Sequence, residues 1–241
     1  MTPHFFVAAE QIHDGRALLD PEDTRHLVTV LRARAGASVS VADGSGAVWS
    51  GTYTGQEGDR ARIALGASDA TRQAEPGITV VHALPKQRKL DDVIQRLTEV
   101  GVDRIVPVHS ERSQVEFDER RAAKAVDRWR SVALSAAKQS RRARLPVVTD
   151  VGTWATAFQE GLPGVVCWEA STTPMARVLD AIVSPQQFVI AIGPEGGLTQ
   201  GEVEACGLPA VSLGRSILRT ETAALVAVSA VAYHYGLMEN G

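Results

Sequence analysis

The residues with the clearest chemical potential lie close together near the end of the chain. An apolar run of strand length, Phe188–Ile192, breaks at Gly193-Pro194-Glu195-Gly196-Gly197. A second run, Ala210–Leu213, breaks at Gly214, and Arg215, Ser216, Arg219, Thr220, Glu221 and Thr222 follow it. Two strands that end in glycine-led loops suggest a ligand site, because open α/β sheets bind outside the carboxyl ends of their strands. Glycine there lets the backbone approach a ligand and supplies unusual dihedrals. Several other chemistries are excluded. No G-x-x-x-x-G-K-[ST] is present, so the loop at Gly193 has no lysine to answer triphosphate charge. No G-x-G-x-x-G follows a strand, which removes the dinucleotide fold and the common open methyltransferase fold. The six histidines (His4, His13, His26, His82, His109, His234) lack zinc spacing, and no G-x-S-x-G elbow occurs.

The elements that must position these loops fall into two patterns. Residues 1–70 read as short β pieces: Ala37–Ala42, a turn at Asp43-Gly44-Ser45-Gly46, then Ala47–Tyr53 and Arg60–Leu65. A helix is predicted over Pro21–Leu31, with His26, Leu27, Val30 and Leu31 near one stripe. Closely spaced short strands suggest a small barrel. Residues 66–77 are poor in apolar side chains and read as a linker. Beyond it strands and helices alternate. Strands are predicted at Ile78–Leu84, Arg104–Val108, Val165–Trp168, Phe188–Ile192 and Ala210–Leu213. Helices are predicted at Leu90–Val100, Asp118–Ser140, after the capping box Thr199–Glu202, and at Glu221–Tyr235 with Thr220 as its cap. This order implies an α/β domain with a mainly parallel sheet and helices on both faces.

The chain has 241 residues and 44% apolar content, enough for one large domain or two modest ones. No apolar run approaches bilayer length, and the start lacks the basic n-region of a signal peptide. Cys167 and Cys206 are far apart, and the expectation is two reduced thiols in a cytoplasmic protein. The net charge of −3 conceals an asymmetry: residues 119–144 hold nine basic and two acidic residues, so that stretch is +7 and the remainder −10. Charge alone leaves two readings, a surface for a polyanion and a solvated helix face.

The carboxyl-terminal segment closely resembles the family of small-subunit (16S) ribosomal RNA uracil-N3 methyltransferases, of the SPOUT superfamily. The matching pieces are Ile192 to Gly197, Glu202, and Leu213-Gly214-Arg215-Ser216-Ile217-Leu218-Arg219-Thr220-Glu221-Thr222-Ala223. Further blocks match in order: Leu84-Pro85-Lys86, Thr98 to Val102, Pro107 to Ser113, Ala137 to Arg142, and Pro146. His26-Leu27, Val30-Leu31-Arg32 and Asp43-Gly44 match the family's amino-terminal barrel. The resemblance covers nearly the whole chain. It implies a PUA-like β-barrel over residues 1–70 and, over 78–241, a SPOUT domain whose parallel sheet ends in a deep trefoil knot. One departure stands out: His4 occupies a place where family members usually carry an arginine, which bears on one phosphate contact.

The resemblance also implies a cofactor, S-adenosylmethionine; from the histidine and cysteine spacing no metal is expected. Its adenosyl group would rest on loops after Val165–Trp168, Ile192 and Leu213. Trp168, Ile192, Gly193, Pro194, Gly197, Leu213, Gly214, Ile217 and Leu218 are the implied contacts, with Gly193 and Gly214 letting the chain come close. The plainer reading is that the glycines end strands and the aliphatics are core. Uracil N3 carries a proton at neutral pH and lies on the pairing edge, so the base must be unpaired or flipped. The reaction then needs a proton acceptor and positive charge beside the developing anion. Glu195 and Glu221 are the candidate acceptors and Arg219 the candidate anion stabiliser. Glu221 equally suits a first helical turn, and Glu195 could satisfy loop amides. Arg32, Arg112, Lys138, Gln139, Arg141 and Arg142 are the implied RNA contacts, while Arg120, Arg121 and Lys124 read as solvated.

The implied partners are 16S rRNA, within the 30S subunit, and a second copy in a homodimer. Two other functions compete: a related knotted methyltransferase acting on transfer RNA or 23S rRNA, and a non-enzymatic RNA-binding protein that keeps the fold.

Overall fold

The computed structural model describes residues 2–70, 76–86, 89–114 and 118–238. The chain forms two compact units. One comprises residues 1–73 with 137–145, the other 74–136 with 146–241.

In the first unit the strands are β1 (His4–Phe6), β2 (Ile12–His13), β3 (Arg16–Leu18), β4 (Ser38–Ala42), β5 (Ala47–Glu57) and β6 (Arg60–Ala70), with helix α1 at Pro21–Arg25. They form one sheet in the order β1-β4-β5-β6-β3-β2, antiparallel except for β1 beside β4. Register shifts at Trp49/Gly51 and Tyr53/Gly55 mark bulges, which bend long strands. The core is Phe5, Leu19, Leu27, Val39, Val41 and Ile63. Strand β6 continues to Ala70, so the predicted linker at 66–77 is strand over its first five residues; residues 71–75 of it lie outside the described ones. Pairing with β5 overrides the weak apolar content there. Asp20 caps α1 by accepting from the Asp23 amide at 2.7 Å. The predicted helix over Pro21–Leu31 is α1 followed by one π turn, His26–Val30, closed by Leu31 N–H donating to the His26 carbonyl. That wider turn breaks the predicted stripe: Leu27 is buried, while Val30 and Leu31 are 64% and 43% exposed.

Residues 137–145 belong to this unit through polar bonds. The Arg142 carbonyl can only accept, so His4 Nε2 carries the proton in that 3.0 Å contact and Nδ1 accepts from the Ser40 hydroxyl. Arg141 donates to the Thr2 carbonyl, and the Leu145 amide to that of Gly44. Lys138 Nζ lies 2.6 and 2.8 Å from the two carboxylate oxygens of buried Asp23. Burial pushes the Asp23 carboxyl up, and Lys138 pulls it partly back.

The second unit contains β7 (Gly77–Ala83), α2 (Lys89–Glu99), β8 (Arg104–His109), α3 (Glu119–Ser140), β9 (Val147–Val148), β10 (Gly152–Thr153), β11 (Gly164–Cys167), α4 (Met175–Ala181), β12 (Gln187–Ile192), α5 (Gln200–Ala205), β13 (Ala210–Val211) and α6 (Thr220–His234). Its sheet runs β10-β8-β7-β12-β11-β13, with β9 also on β8, and every pair is parallel. Alternate residues serve opposite faces. Val80, Phe188, Ile190 and Ile192 enter a core with Leu90, Ile94, Leu97, Trp129 and Val228, from α2, α3 and α6. Val81, Val189 and Ala191 enter a second core with Trp154, Leu198 and Val203. Both faces are covered, as all-parallel sheets require.

Candidate functional site

The carboxyl ends of β11, β12 and β13 are neighbours, so the three loops that follow them meet. They enclose a cavity of about 480 Å³. All nine residues expected to hold a cofactor line it: Trp168, Ile192, Gly193, Pro194, Gly197, Leu213, Gly214, Ile217 and Leu218. Ile217 lines it from the outside. It is 88% exposed, so it sits at the mouth and is not a packed wall. Ile192 is buried and shared with the core beneath. Arg215, Ser216, Thr220 and Ala223 of the matched segment also line the cavity, as do Cys167, Glu169, Val211 and Ser212, which were not anticipated. The local sequence of those last four carries no cofactor signal; strand order brings them there.

The loops are braced against one another. Trp168 N–H donates to the Val211 carbonyl, Ser212 N–H to that of Thr173, and the Ser171 hydroxyl to that of Ala210. In the glycine-rich loop, Gly197 N–H donates back to the Pro194 carbonyl at 2.9 Å. Gly197 has φ +72°, and a Cβ there would strike Glu169 Oε1. Gly193 lines the cavity as expected, and it has a second, internal reason to lack a side chain. A Cβ at that position would lie 2.8 Å from Leu198 Cγ, so the glycine admits an internal neighbour. Gly214, at φ +139° with open space around a Cβ, fits the expectation of an unusual backbone beside a cavity. Arg112 Nη1 donates to the Gly196 carbonyl at 3.1 Å. Helix α5 follows with the predicted capping box between Thr199 and Glu202, and Glu202 also accepts from the Glu111 amide at 2.7 Å.

The start of α6 departs from the prediction. Its N-cap is Arg219, with no side-chain capping bond, and Thr220 is the first helical residue. The Thr220 hydroxyl instead donates to the Gly193 carbonyl at 2.7 Å. Fully buried His82 lies beneath, its Nδ1–H donating to the Ala83 carbonyl at 2.7 Å and its Nε2 3.4 Å from the Thr220 hydroxyl. Burial holds His82 below its ordinary range; backbone bonds and the charges of Glu195 and Glu221 offset this only in part.

The three expected catalytic side chains divide. Arg219 and Glu195 line the cavity; Glu221 does not. Both oxygens of Glu195 accept from the Lys86 amide, at 3.2 and 3.0 Å, and Oε1 also meets Lys89 Nζ at 3.0 Å. Burial raises the Glu195 carboxyl, but its own amide, Lys89 and Lys86 together hold it below the usual carboxylate range. Glu221 Oε2 is buried without a hydrogen-bond partner, 3.9 Å from Lys89 Nζ.

Of the expected RNA contacts, Arg32 and Gln139 are exposed. Arg112, Arg141 and Arg142 are engaged through Gly196, Thr2 and His4 as described. Lys138 pairs its ammonium with Asp23, which makes it a brace inside the first unit. The residue 115 positions away gave no local sign of that pairing. Arg120, Arg121 and Lys124 are exposed, in keeping with solvation.

A parallel sheet with this cavity, attached to a small β unit, defines a class. Residues 73–232 match the model of an RNA methyltransferase domain, and residues 19–65 that of an RNA methyltransferase PUA domain. Ribosomal RNA small subunit methyltransferase E of Mycobacterium tuberculosis is 35% identical over 228 residues, 89% of this chain and 85% of that one. The enzyme of the same name from Bacillus subtilis is 29% identical, over 98% and 92%. The crystal structure of a ribosomal RNA small subunit methyltransferase E from Neisseria gonorrhoeae, bound to S-adenosyl methionine, superposes with a TM-score of 0.85 at 29% identity, covering 97% of this chain and 98% of that one. A putative methyltransferase from Legionella pneumophila, in complex with the same cofactor, gives 0.83 at 25% identity, over 97% and 98%. The chain belongs to the ribosomal RNA small subunit methyltransferase E family.

Proposed function

We propose that this protein transfers a methyl group from S-adenosylmethionine to N3 of a specific uridine in 16S rRNA. One observation carries the reading. The residues expected to hold the cofactor, drawn from three separate loops, line a single cavity at the carboxyl ends of adjacent parallel strands. Its volume lies within the roughly 300–1,000 Å³ range of small-ligand sites. Ile192, Leu213 and Leu218 offer apolar surface, and the Gly214 backbone faces open space. When bound, the cofactor supplies an electrophilic methyl group on a sulfonium centre.

The chain's own residues do the rest. Glu221 is the less committed proton acceptor, because no hydrogen-bond donor among the described residues is bound to its carboxylate, whereas both oxygens of Glu195, the one of the two that lines the cavity, are occupied. Glu195 instead ties the glycine-rich loop to Lys86 and Lys89. Arg219, exposed at the cavity and free of a side-chain cap role, places positive charge where the uracil anion develops. Arg32, Gln139 and Arg141 are the exposed RNA contacts of the first unit. The reading includes a PUA-like RNA-binding domain over 1–70, a methyltransferase domain over 78–241 threaded as a deep trefoil knot, and a cytoplasmic homodimer acting on the 30S subunit without a metal.

The test is methylation of purified 30S particles with labelled cofactor, followed by location of the modified nucleoside. Label on N3 of one uridine in 16S rRNA is the expected result. Label confined to transfer RNA or 23S rRNA, or no label at all, overturns the reading.

A further inference from the structure

Two carboxylates line the cavity, Glu195 and Glu169. Glu195 is neutralised by Lys89 and two bonds from the Lys86 amide. Glu169, on the loop after β11, makes no hydrogen bond or ion pair among the described residues. Its side chain is exposed and lies beside the glycine-rich loop. Oε1 lies so close to the Gly197 Cα that a Cβ on residue 197 would collide with it, and Gly197 is held at φ +72° by the turn back to Pro194. Two of the three cavity loops therefore approach each other through this carboxylate and this glycine. The loop carrying Glu169 is fixed in turn by the bonds from Trp168 to Val211 and from Ser171 to Ala210.

We infer that Glu169 is a cofactor-binding residue whose carboxylate accepts hydrogen bonds from the vicinal hydroxyls of the ribose. A carboxylate offers two acceptor oxygens and no donor, which matches a diol and repels phosphate. An acidic side chain beside a glycine-rich turn is also the device that dinucleotide folds use for ribose hydroxyls. The neighbouring apolar residues, Trp168, Ile192 and Leu218, suit the base attached to that sugar. Replacing Gly197 by a larger residue would displace the carboxylate, which gives the glycine a second role besides its turn. This inference rests on the proposed function, since it takes the ligand to be an adenosyl compound.

Calorimetric titration of the full-length protein tests it with two probes, S-adenosylmethionine and 5′-methylthioadenosine; the second keeps the ribose and lacks the amino-acid part. Glu169→Ala is expected to weaken both by a similar factor, about tenfold or more, as for loss of hydrogen bonds to a charged group. Glu169→Gln, which keeps one acceptor, is expected to fall between Glu169→Ala and wild type. An unchanged melting curve for each variant shows that the fold is intact. Unchanged affinity for both probes overturns the inference, leaving Glu169 a solvated loop side chain. Weakening of S-adenosylmethionine alone also overturns it, because the carboxylate then faces the ammonium. If wild type binds neither probe, the functional reading itself fails, which is a separate outcome.

Discussion

The Thr220 hydroxyl donates to the Gly193 carbonyl at 2.7 Å, joining the first residue of α6 to the loop that ends β12. A hydroxyl that would ordinarily cap its own helix is turned toward a partner 27 residues earlier. The two cavity-lining segments that follow the glycine-led breaks are therefore tied to each other by this side chain.

Thr220→Val keeps the shape and removes the donor. An unsatisfied buried acceptor costs about 1–3 kcal/mol. The variant is expected to unfold at lower urea concentration and to bind S-adenosylmethionine roughly fivefold or more weakly. Thr220→Ser, with the hydroxyl retained, is expected to stay near wild type. Equal cofactor affinity for Val and Ser variants would remove this bond from the site.

The three catalytic candidates separate by readout. Arg219→Ala is expected to lower methylation of 30S particles about 100-fold or more, as for loss of one oxyanion-type stabiliser, with folding stability unchanged. Glu221→Gln is expected to slow turnover by about 10²–10⁴ at saturating cofactor. Glu195→Gln is expected to act mainly on the cofactor dissociation constant, through the loosened loop. If Glu195→Gln abolishes turnover while Glu221→Gln leaves it intact, the roles are reversed.

Breaking the Lys138–Asp23 pair leaves a buried carboxylate alone. Lys138→Met is expected to cost about 3 kcal/mol at pH 7, the low end for buried pairs because Lys138 remains 25% exposed. Asp23 already has a raised folded value, so its charged form opposes folding above that value and ceases to do so as the pH falls through it. The deficit of Lys138→Met should therefore shrink on acidification, as urea midpoints across pH would show. A constant deficit would mean the loss is one of packing.

His4 and His82 set a second pH dependence. Burial lowers both, and nearby Arg141 and Lys138 lower His4 further, while the Arg142 carbonyl opposes. The folded protein keeps them neutral where the unfolded chain, titrating near an ordinary value of about 6.5, binds protons. Stability should be flat above that value and fall as the pH drops below it. The slope is bounded at about 1.4 kcal/mol per pH unit for each histidine. A His4→Gln, His82→Gln double variant should flatten this slope; an equal slope in wild type and variant would exclude these residues as its source.

Much of the second unit is legible from local pattern. The apolar runs at 78–84, 104–108 and 188–192 are strands within a residue or two, and Thr199 and Glu202 form the capping box their spacing announces. What escaped depends on partners distant in sequence. Strands β1 to β3 are two or three residues long and exist only by pairing, β1 with Ser40–Ala42 and β3 with Arg62–Ala64. The seven-residue α4 gave no start signal beyond Pro174. At the site, the glycines were found because their residue type is the signal. Glu169 and His82 were missed because an isolated acid or histidine says nothing until strand order places it. The pairing of Lys138 with Asp23 was not legible, because a cation looks free until its counter-ion is seen.

Because residues 137–145 belong with the first unit while their sequence neighbours on both sides belong to the second, no single cut separates the two. A fragment ended after residue 70 would lack the ammonium that answers Asp23, the carbonyl that receives the His4 proton, and the amide that meets Gly44. The gene must therefore be read past its midpoint before the amino-terminal unit has all its parts, and a ribosome would release that unit incomplete until α3 emerged.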